Sequence, residues 1–455
     1  MTAQAAKRVR MTPSARLSAA IEVFAEIEAR RRPATDALKD WGLSHRFAGS
    51  GDRAAIAGLV YDALRRKSSS AWLMGDASPR AAVLGMLRRE RGLDNAAIAA
   101  LCNGARYAPA PLSEMETTAL AASSLAGAPA HVEGDYPEWL DAHLARVFGD
   151  ARVAEGAALA SRAPLDLRVN TLTAERDDAL AKLEHLKAEP TRWSPIGMRI
   201  RLAAEAKSPA IHAEPIFLKG QIEIQDEGSQ LAALLADAKP GEHVVDLCAG
   251  AGGKTLALAA AMENRGQIYA TDLDKRRLAP IHARLARAGV RNVQVRTPTV
   301  DGSRGRSAGT ANDILADLNG RADLVMIDAP CTGTGAWRRN PDAKWRIRPG
   351  ALAERITEQE AVLERAAALV KPGGRIAYVT CSVLADENGD RAGAFTARHP
   401  EFSVEKPANV VNALGERAYL FVRAVLTSDE GSLMTPRRTE TDGFFVSILR
   451  RRQSS

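Results

Sequence analysis

The stretch Asp246-Leu247-Cys248-Ala249-Gly250-Ala251-Gly252-Gly253-Lys254-Thr255 joins a short apolar run, His243–Leu247, to a helix-forming segment, Lys254–Met262. Strand, glycine-rich turn and helix form the opening unit of a doubly wound α/β sheet. The pattern continues downstream. Strands are expected at Gln267–Thr271, Val293–Arg296, Leu324–Ile327, Arg375–Val379 and Phe444–Leu449. Helices are expected at Lys275–Ala288, Leu352–Leu369 and about Asn388–Arg398. This alternation predicts an α/β domain over residues 236–455, with ligands held outside the carboxyl ends of its strands.

Glycines in the turn let the backbone approach a ligand closely, and the following helix start favours a negative group. Two phosphate-binding readings fail by one residue each. A nucleoside-triphosphate loop needs glycine where Cys248 stands, and a dinucleotide fingerprint begun at Gly250 needs it at Thr255. A loop for S-adenosylmethionine fits, because that ligand has an amino-acid end and an adenosine end but no phosphate. Cys248, Ala249, Gly250, Gly252, Gly253 and Lys254 would line the donor site, the Cys248 side chain itself being a small buried apolar group. Lys254 is open to three uses: the donor's carboxylate, an RNA phosphate, or the helix start. The next strand ends in Thr271-Asp272, where a carboxylate can hold two ribose hydroxyls. A helix cap is the alternative for Asp272. Asp301, after the third strand, is placed to reach the adenine, with a loop turn as its alternative.

The chain has 455 residues, a net charge of +7 and a sequence pI near 9.3. That length allows two to four domains, and the basic balance is compatible with a nucleic-acid partner without requiring one. The four cysteines, at 102, 248, 331 and 381, make no CxxC pair, so no metal site is expected. Lys7, Arg8 and Arg10 near the N-terminus are followed by a stretch interrupted by Glu22, Glu26 and Glu28. That stretch reads as an amphipathic helix and not a signal peptide, and no run is long enough to span a membrane. A cytoplasmic protein with free thiols is expected.

Residues 1–145 read as nearly all helix, with apolar residues at helical spacing in Leu17, Ile21, Phe24 and Ile27 and in Ile56, Leu59, Val60 and Leu64. Basic helix ends such as Arg65-Arg66-Lys67 suit an RNA-binding module or a plain helical scaffold. Residues 146–235 read as a small α+β unit: Leu165–Asn170 and Met198–Leu202 alternate like strands around a helix from Asp177 to Leu186.

Two thiols follow predicted strands, in Asp328-Ala329-Pro330-Cys331 and in Tyr378-Val379-Thr380-Cys381-Ser382. Together with Pro164–Thr171, Gln225-Asp226, the glycine loop, Thr332-Gly333-Thr334-Gly335 and Asp442-Gly443-Phe444-Phe445, they make the chain resemble the Fmu/Sun family of RNA cytosine-5 methyltransferases, in its branch acting on small-subunit ribosomal RNA. Tyr136-Pro137-Glu138-Trp139 also matches. Asp52-Arg53 and Leu59-Val60-Tyr61 through Leu64-Arg65-Arg66 resemble the family's NusB-like domain.

The resemblance implies a Rossmann-like class I methyltransferase domain, a small α+β (RRM-like) domain and an N-terminal all-helical NusB-like domain. It implies a monomer that takes S-adenosylmethionine and RNA. It gives Cys381 the attack on carbon 6 of cytosine and gives Cys331 the breaking of the covalent adduct, as or through a base. Asp328 would hydrogen-bond the ring edge and line the donor site. A Pro-Cys thiol is the nucleophile in DNA cytosine methyltransferases, so the reversed assignment stands as the rival. A tRNA or DNA cytosine-5 methyltransferase and a non-catalytic RNA-binding assembly factor are the other readings. Ala251 stands where the family commonly has proline. Glu387 and Asn388 keep the family's positions after Thr380-Cys381-Ser382. The insertion Trp337–Arg348 interleaves two tryptophans with five cations, which suits phosphates and unstacked bases. Tryptophans packed on the protein are the alternative there.

Overall fold

A computed structural model of the chain describes residues 10–203, 208–298 and 314–453. Lys7, Arg8 and Asp301 therefore lie outside the described residues. The chain divides into two compact units. The first comprises residues 10–162 with Trp337–Arg348, and its described part is helical without a strand. Its opening helix, Pro13–Arg30, starts on Thr12, whose hydroxyl accepts from the Ala15 N–H at 3.1 Å. The helix buries Leu17, Ala20, Val23, Phe24 and Ile27 in one core with Ile56, Val60 and Leu64 of the helix Ser50–Arg65. The apolar spacing thus has the expected result.

The segment Trp337–Arg348 corrects a sequence expectation. Trp337 is 1% exposed and Lys344 is 0% exposed, so neither is presented to a base or phosphate. Lys344 Nζ donates to the carbonyls of Arg65 (2.8 Å) and Asp135 (2.6 Å), and the Trp345 indole N–H donates to Leu64 O (2.6 Å). The Arg65 guanidinium donates back to the carbonyl of Arg338 at 2.6 Å. Among these helices Trp337 fills space and Lys344 satisfies two carbonyls, whereas Arg346 pairs with Asp342 and Arg348 is exposed.

Burial pushes the Lys344 amine down from 10.5 to about 7. Its folded value lies below its unfolded one, so over that window the unfolded chain binds more protons and stability rises with pH. Lys344→Met should remove this dependence. Melting temperatures of the two proteins from pH 6 to 10 are expected to diverge in favour of the lysine protein as pH rises.

The second unit carries two sheets. The small one contains β1 (Leu165–Val169), β2 (Glu189–Pro190), β3 (Gly197–Ile200) and β4 (Ile222–Ile224), in the order β2-β3-β1-β4 with every pair antiparallel. Leu167, Val169, Met198 and Ile222 pack with Ala179 and Leu183 at the helix Arg176–Lys182.

The large sheet contains β5 (His243–Asp246), β6 (Gln267–Ala270), β7 (Val293–Val295), β8 (Ala322–Asp328), β9 (Val370–Thr380), β10 (Phe402–Val404), β11 (Leu426–Ser428), β12 (Gly431–Met434) and β13 (Phe444–Arg451). Its order is β11-β12-β13-β9-β8-β5-β6-β7, with β10 on β13. β5 to β9 pair in parallel, and β13 returns antiparallel to β9. β5 lies between β6 and β8, so the order reverses at β5 and a crevice opens at its carboxyl end.

Two elements depart from the sequence reading. The helix expected over Lys275–Ala288 is two pieces, Lys275–Leu278 and Ile281–Ala288. Pro280 between them has no N–H to continue the ladder. β9 begins at Val370, five residues early, and a register shift between Ala322 and Leu324 absorbs Pro372, Gly373 and Gly374. The hairpin β11–β12, turning at Asp429-Glu430, had not been anticipated; its strands are short and lack a clear alternation. Among the described residues no helix is long and apolar enough to cross a membrane, and no group of three or more His, Cys, Asp or Glu could hold a metal ion.

Candidate active site

The site residues stand at the carboxyl ends of β5, β6, β8 and β9. β5 ends on Asp246, which is fully buried; its Oδ2 accepts from Thr255 Oγ1 at 2.7 Å. Burial, opposed by that hydrogen bond, raises the Asp246 carboxyl to about 7. Its Oδ1 is buried without a hydrogen-bond partner. An orphaned acceptor at the mouth of a parallel sheet fits a ligand that brings a donor, as an ammonium group would. Cys248 and Ala249 continue the turn, and burial pushes the Cys248 thiol up, in keeping with an unreactive side chain. Gly252, with φ of +85°, caps the helix Gly253–Ala261, and a Cβ there would lie 2.6 Å from Ile281 Cγ1.

Asp272, just past β6, is buried and faces this loop. Its Oδ2 accepts from the Gly250 N–H at 3.0 Å and its Oδ1 from the Asp274 N–H at 2.8 Å. The helix cap is Asp274, which accepts from Arg276 N; Asp272 is not the cap. Leu273 beside it is 88% exposed, an apolar side chain at the crevice that the sequence reading missed. Only its position after the acidic residue could have indicated it.

Lys254 is buried, and its Nζ lies 2.7 Å from Asp328 Oδ2 and 5.2 Å from the centre of the Phe444 ring. This lysine therefore ties the glycine loop to the end of β8. The strand register pairs Asp328 with Val379, and the Ala329 N–H donates to Val379 O at 2.8 Å. The two segments leave their strands side by side, and Cys331 Sγ comes to 3.3 Å from Cys381 Sγ. Both thiols are partly exposed and free. The hydrogen bond with Cys381, together with burial, pushes the Cys331 thiol well up. The two sulfurs are within hydrogen-bonding reach, and either can be the donor.

Other motifs turn out to be brackets around this site. Arg168, fully buried, donates to Gln225 Oε1 at 2.6 Å, and Asp226 accepts from the N–H groups of Gly228 and Asp442. Thr334 and Ser382 share a hydroxyl contact of 3.0 Å, and the Gly443 N–H donates to Gly335 O at 2.9 Å. The structure thus brings Asp246, Gly250, Gly252, Lys254, Asp272, Asp328, Cys331 and Cys381 to one end of the sheet.

Comparison with known proteins gives the family and the fold. A family model described as 16S rRNA methyltransferase RsmB/F matches residues 233–450, and one described as an RsmF/B-like ferredoxin-like domain matches residues 136–206. The chain is 32% identical over 326 residues to the "Probable ribosomal RNA small subunit methyltransferase B" of Bacillus subtilis, covering 70% of this chain and 67% of that protein. Identity is also 32% to the Salmonella arizonae ribosomal RNA small subunit methyltransferase B, covering 69% and 66%. Among solved structures, a methyltransferase homolog protein from Pyrococcus horikoshii superposes with a TM-score of 0.55 at 26% identity, covering 71% of this chain and 97% of that one. NSun6 from the same organism shares the fold, with a TM-score of 0.56 at 19% identity over 70% and 99%.

Proposed function

Because the chain belongs to the RsmB/F family of 16S rRNA methyltransferases, we propose that it methylates carbon 5 of a cytosine in small-subunit ribosomal RNA through a covalent thiol adduct. The observation that carries this reading is the pair of sulfurs 3.3 Å apart at the ends of adjacent parallel strands, beside the glycine loop. S-adenosylmethionine, when bound, supplies a methyl group on a positively charged sulfur. The backbone of Cys248, Ala249, Gly250 and Gly253 would cradle it, with Asp246 toward its ammonium and Asp272 toward its ribose hydroxyls.

Carbon 5 of cytosine is a weak nucleophile. Addition of the Cys381 thiolate to carbon 6 forms the S–C6 bond and shifts the C5–C6 π electrons onto carbon 5, which can then take a methyl cation. Asp328, steadied by Lys254, would hydrogen-bond the ring edge as charge develops there. Release requires the carbon-5 proton, taken by the Cys331 thiolate or by a water it holds, to leave. Its electron pair re-forms C5=C6, and the C6–S bond breaks with its pair on Cys381. Once it carries that proton, the Cys331 thiol can donate a hydrogen bond to the departing sulfur.

The helical unit would serve as a NusB-like RNA-facing module, with residues 1–145, 146–235 and 236–455 acting as three domains of a cytoplasmic monomer. Asp328→Ala is expected to slow adduct formation about a hundredfold in single-turnover assays, the scale of one lost catalytic hydrogen-bonding group. The direct test of the reading is transfer of labelled methyl to small-subunit RNA, tRNA and DNA, followed by mapping of 5-methylcytosine. Methylcytosine in the ribosomal RNA alone supports it. RNA binding without methyl transfer would instead identify a non-catalytic assembly factor.

A further inference from the structure

Two consecutive residues, Glu387 and Asn388, lie at 0% and 3% exposure behind the thiols, and each serves a different one. The Glu387 carboxylate faces the Cys331 loop. Its Oε1 accepts from the Thr332 N–H at 2.8 Å and from Gln359 Nε2 at 3.1 Å, and its Oε2 accepts from the Thr332 hydroxyl. Gln359, from the helix Pro349–Leu369, also donates to the carbonyl of Pro330 at 2.9 Å. The residues before and after Cys331 are thereby held by one carboxylate–amide pair.

The Asn388 side chain faces the other loop. Its Oδ1 accepts from the Thr380 hydroxyl, and its Nδ2 donates to Ser382 O at 2.9 Å. Those are the two neighbours of Cys381. The Tyr378 hydroxyl donates to the carbonyl of Glu387 at 2.6 Å and anchors the pair to β9.

We propose that Glu387 and Asn388 are positioning residues for opposite halves of the covalent cycle: Asn388 aims Cys381 for attack, and Glu387 aims Cys331 for release. This rests on the two-thiol reading of the site. The carboxylate's contacts are spent on Thr332 and Gln359, so it acts through the loop and not on the base itself. Loss of Glu387 lets the Cys331 loop drift while the Cys381 loop keeps its own brace. The S–C6 bond still forms and carbon 5 is still methylated. Loss of the carbon-5 proton and return of the C6–S electron pair to Cys381 then become slow. Loss of Asn388 acts earlier, before any S–C6 bond exists.

The test follows covalent RNA–protein complex and released methylated RNA in single-turnover reactions with full-length protein, alongside melting temperature and donor affinity. Glu387→Ala is expected to accumulate covalent complex, with release slowed at least about tenfold, a misplacement cost of moderate size. Glu387→Gln, which retains an Oε1 to accept from both N–H donors, should recover most of the lost release rate. Asn388→Ala should cut the rate of complex formation by a similar factor and accumulate nothing. Thr332→Val and Thr380→Val, which remove one hydroxyl each, should repeat the two phenotypes more weakly.

A role confined to folding would lower melting temperature and donor affinity and depress both steps together in both variants, and that outcome overturns the proposal. If Cys331→Ala itself traps no complex, the two-thiol reading has failed. If it traps complex but Glu387→Ala and Asn388→Ala stall at the same step, the division between them has failed.

Discussion

Cys381→Ala is expected to abolish methyl transfer, by a factor on the order of a thousand or more, and to form no covalent RNA complex. Cys331→Ala should do the opposite: complex forms, persists through denaturation, and turnover stops after the first cycle. The asymmetry rests on the roles that the family resemblance implies for the two thiols. The hydrogen bond with Cys381 and burial push the Cys331 thiol up, which disfavours its thiolate. It sits 3.3 Å from Cys381, close enough to hydrogen-bond the sulfur that must depart. Denaturing gels of labelled RNA with each variant read the outcome directly. If Cys331→Ala gives no complex while Cys381→Ala accumulates it, the roles are exchanged, as they would be for a Pro-Cys nucleophile.

Six strands of the large sheet were legible, β5 to β9 because parallel strands stand out as apolar runs between helices, whereas β10, β11 and β12 were not. The positions of Cys331 and Cys381 at strand ends followed from those runs. Their contact did not, because it depends on the register that pairs Asp328 with Val379 across 51 residues of chain. Side-chain alternation can place a residue on a strand but cannot fix which residue lies opposite. Asp272 was readable as a carboxylate at the end of β6. Its two hydrogen bonds to the glycine loop and to Asp274 were not, since both partners are backbone groups that carry no sequence signal. Trp337–Arg348 misled for a related reason. Cations interleaved with tryptophans look the same whether they face RNA or helix-end carbonyls, and the partners of Lys344 and Trp345, Arg65 and Leu64, lie far away in the chain.

Gly252→Val should leave a folded protein that no longer binds donor. At φ of +85° a β-branched residue is strained by about 1–2 kcal/mol or more, and its Cβ would press 2.6 Å from Ile281 Cγ1. Overpacking of that kind costs about 1–3 kcal/mol. The melting temperature should fall by roughly ten degrees in a unit of this size. The loop has two ways to relieve the crowding: it can shift outward, or it can displace the helix Ile281–Ala288. Either movement disturbs the backbone that Asp272 braces at Gly250. Donor affinity, measured by calorimetry, is then expected to weaken at least about a hundredfold, or some 2.7 kcal/mol. Gly241→Ala supplies the comparison. Gly241 has φ of +91°, nothing lies within 4 Å of its Cβ position, and it precedes the opposite end of β5. That variant should lose stability through strain alone and bind donor as the parent does. Equal loss of affinity in both variants would show that the glycine loop senses stability in general and does not itself hold the donor.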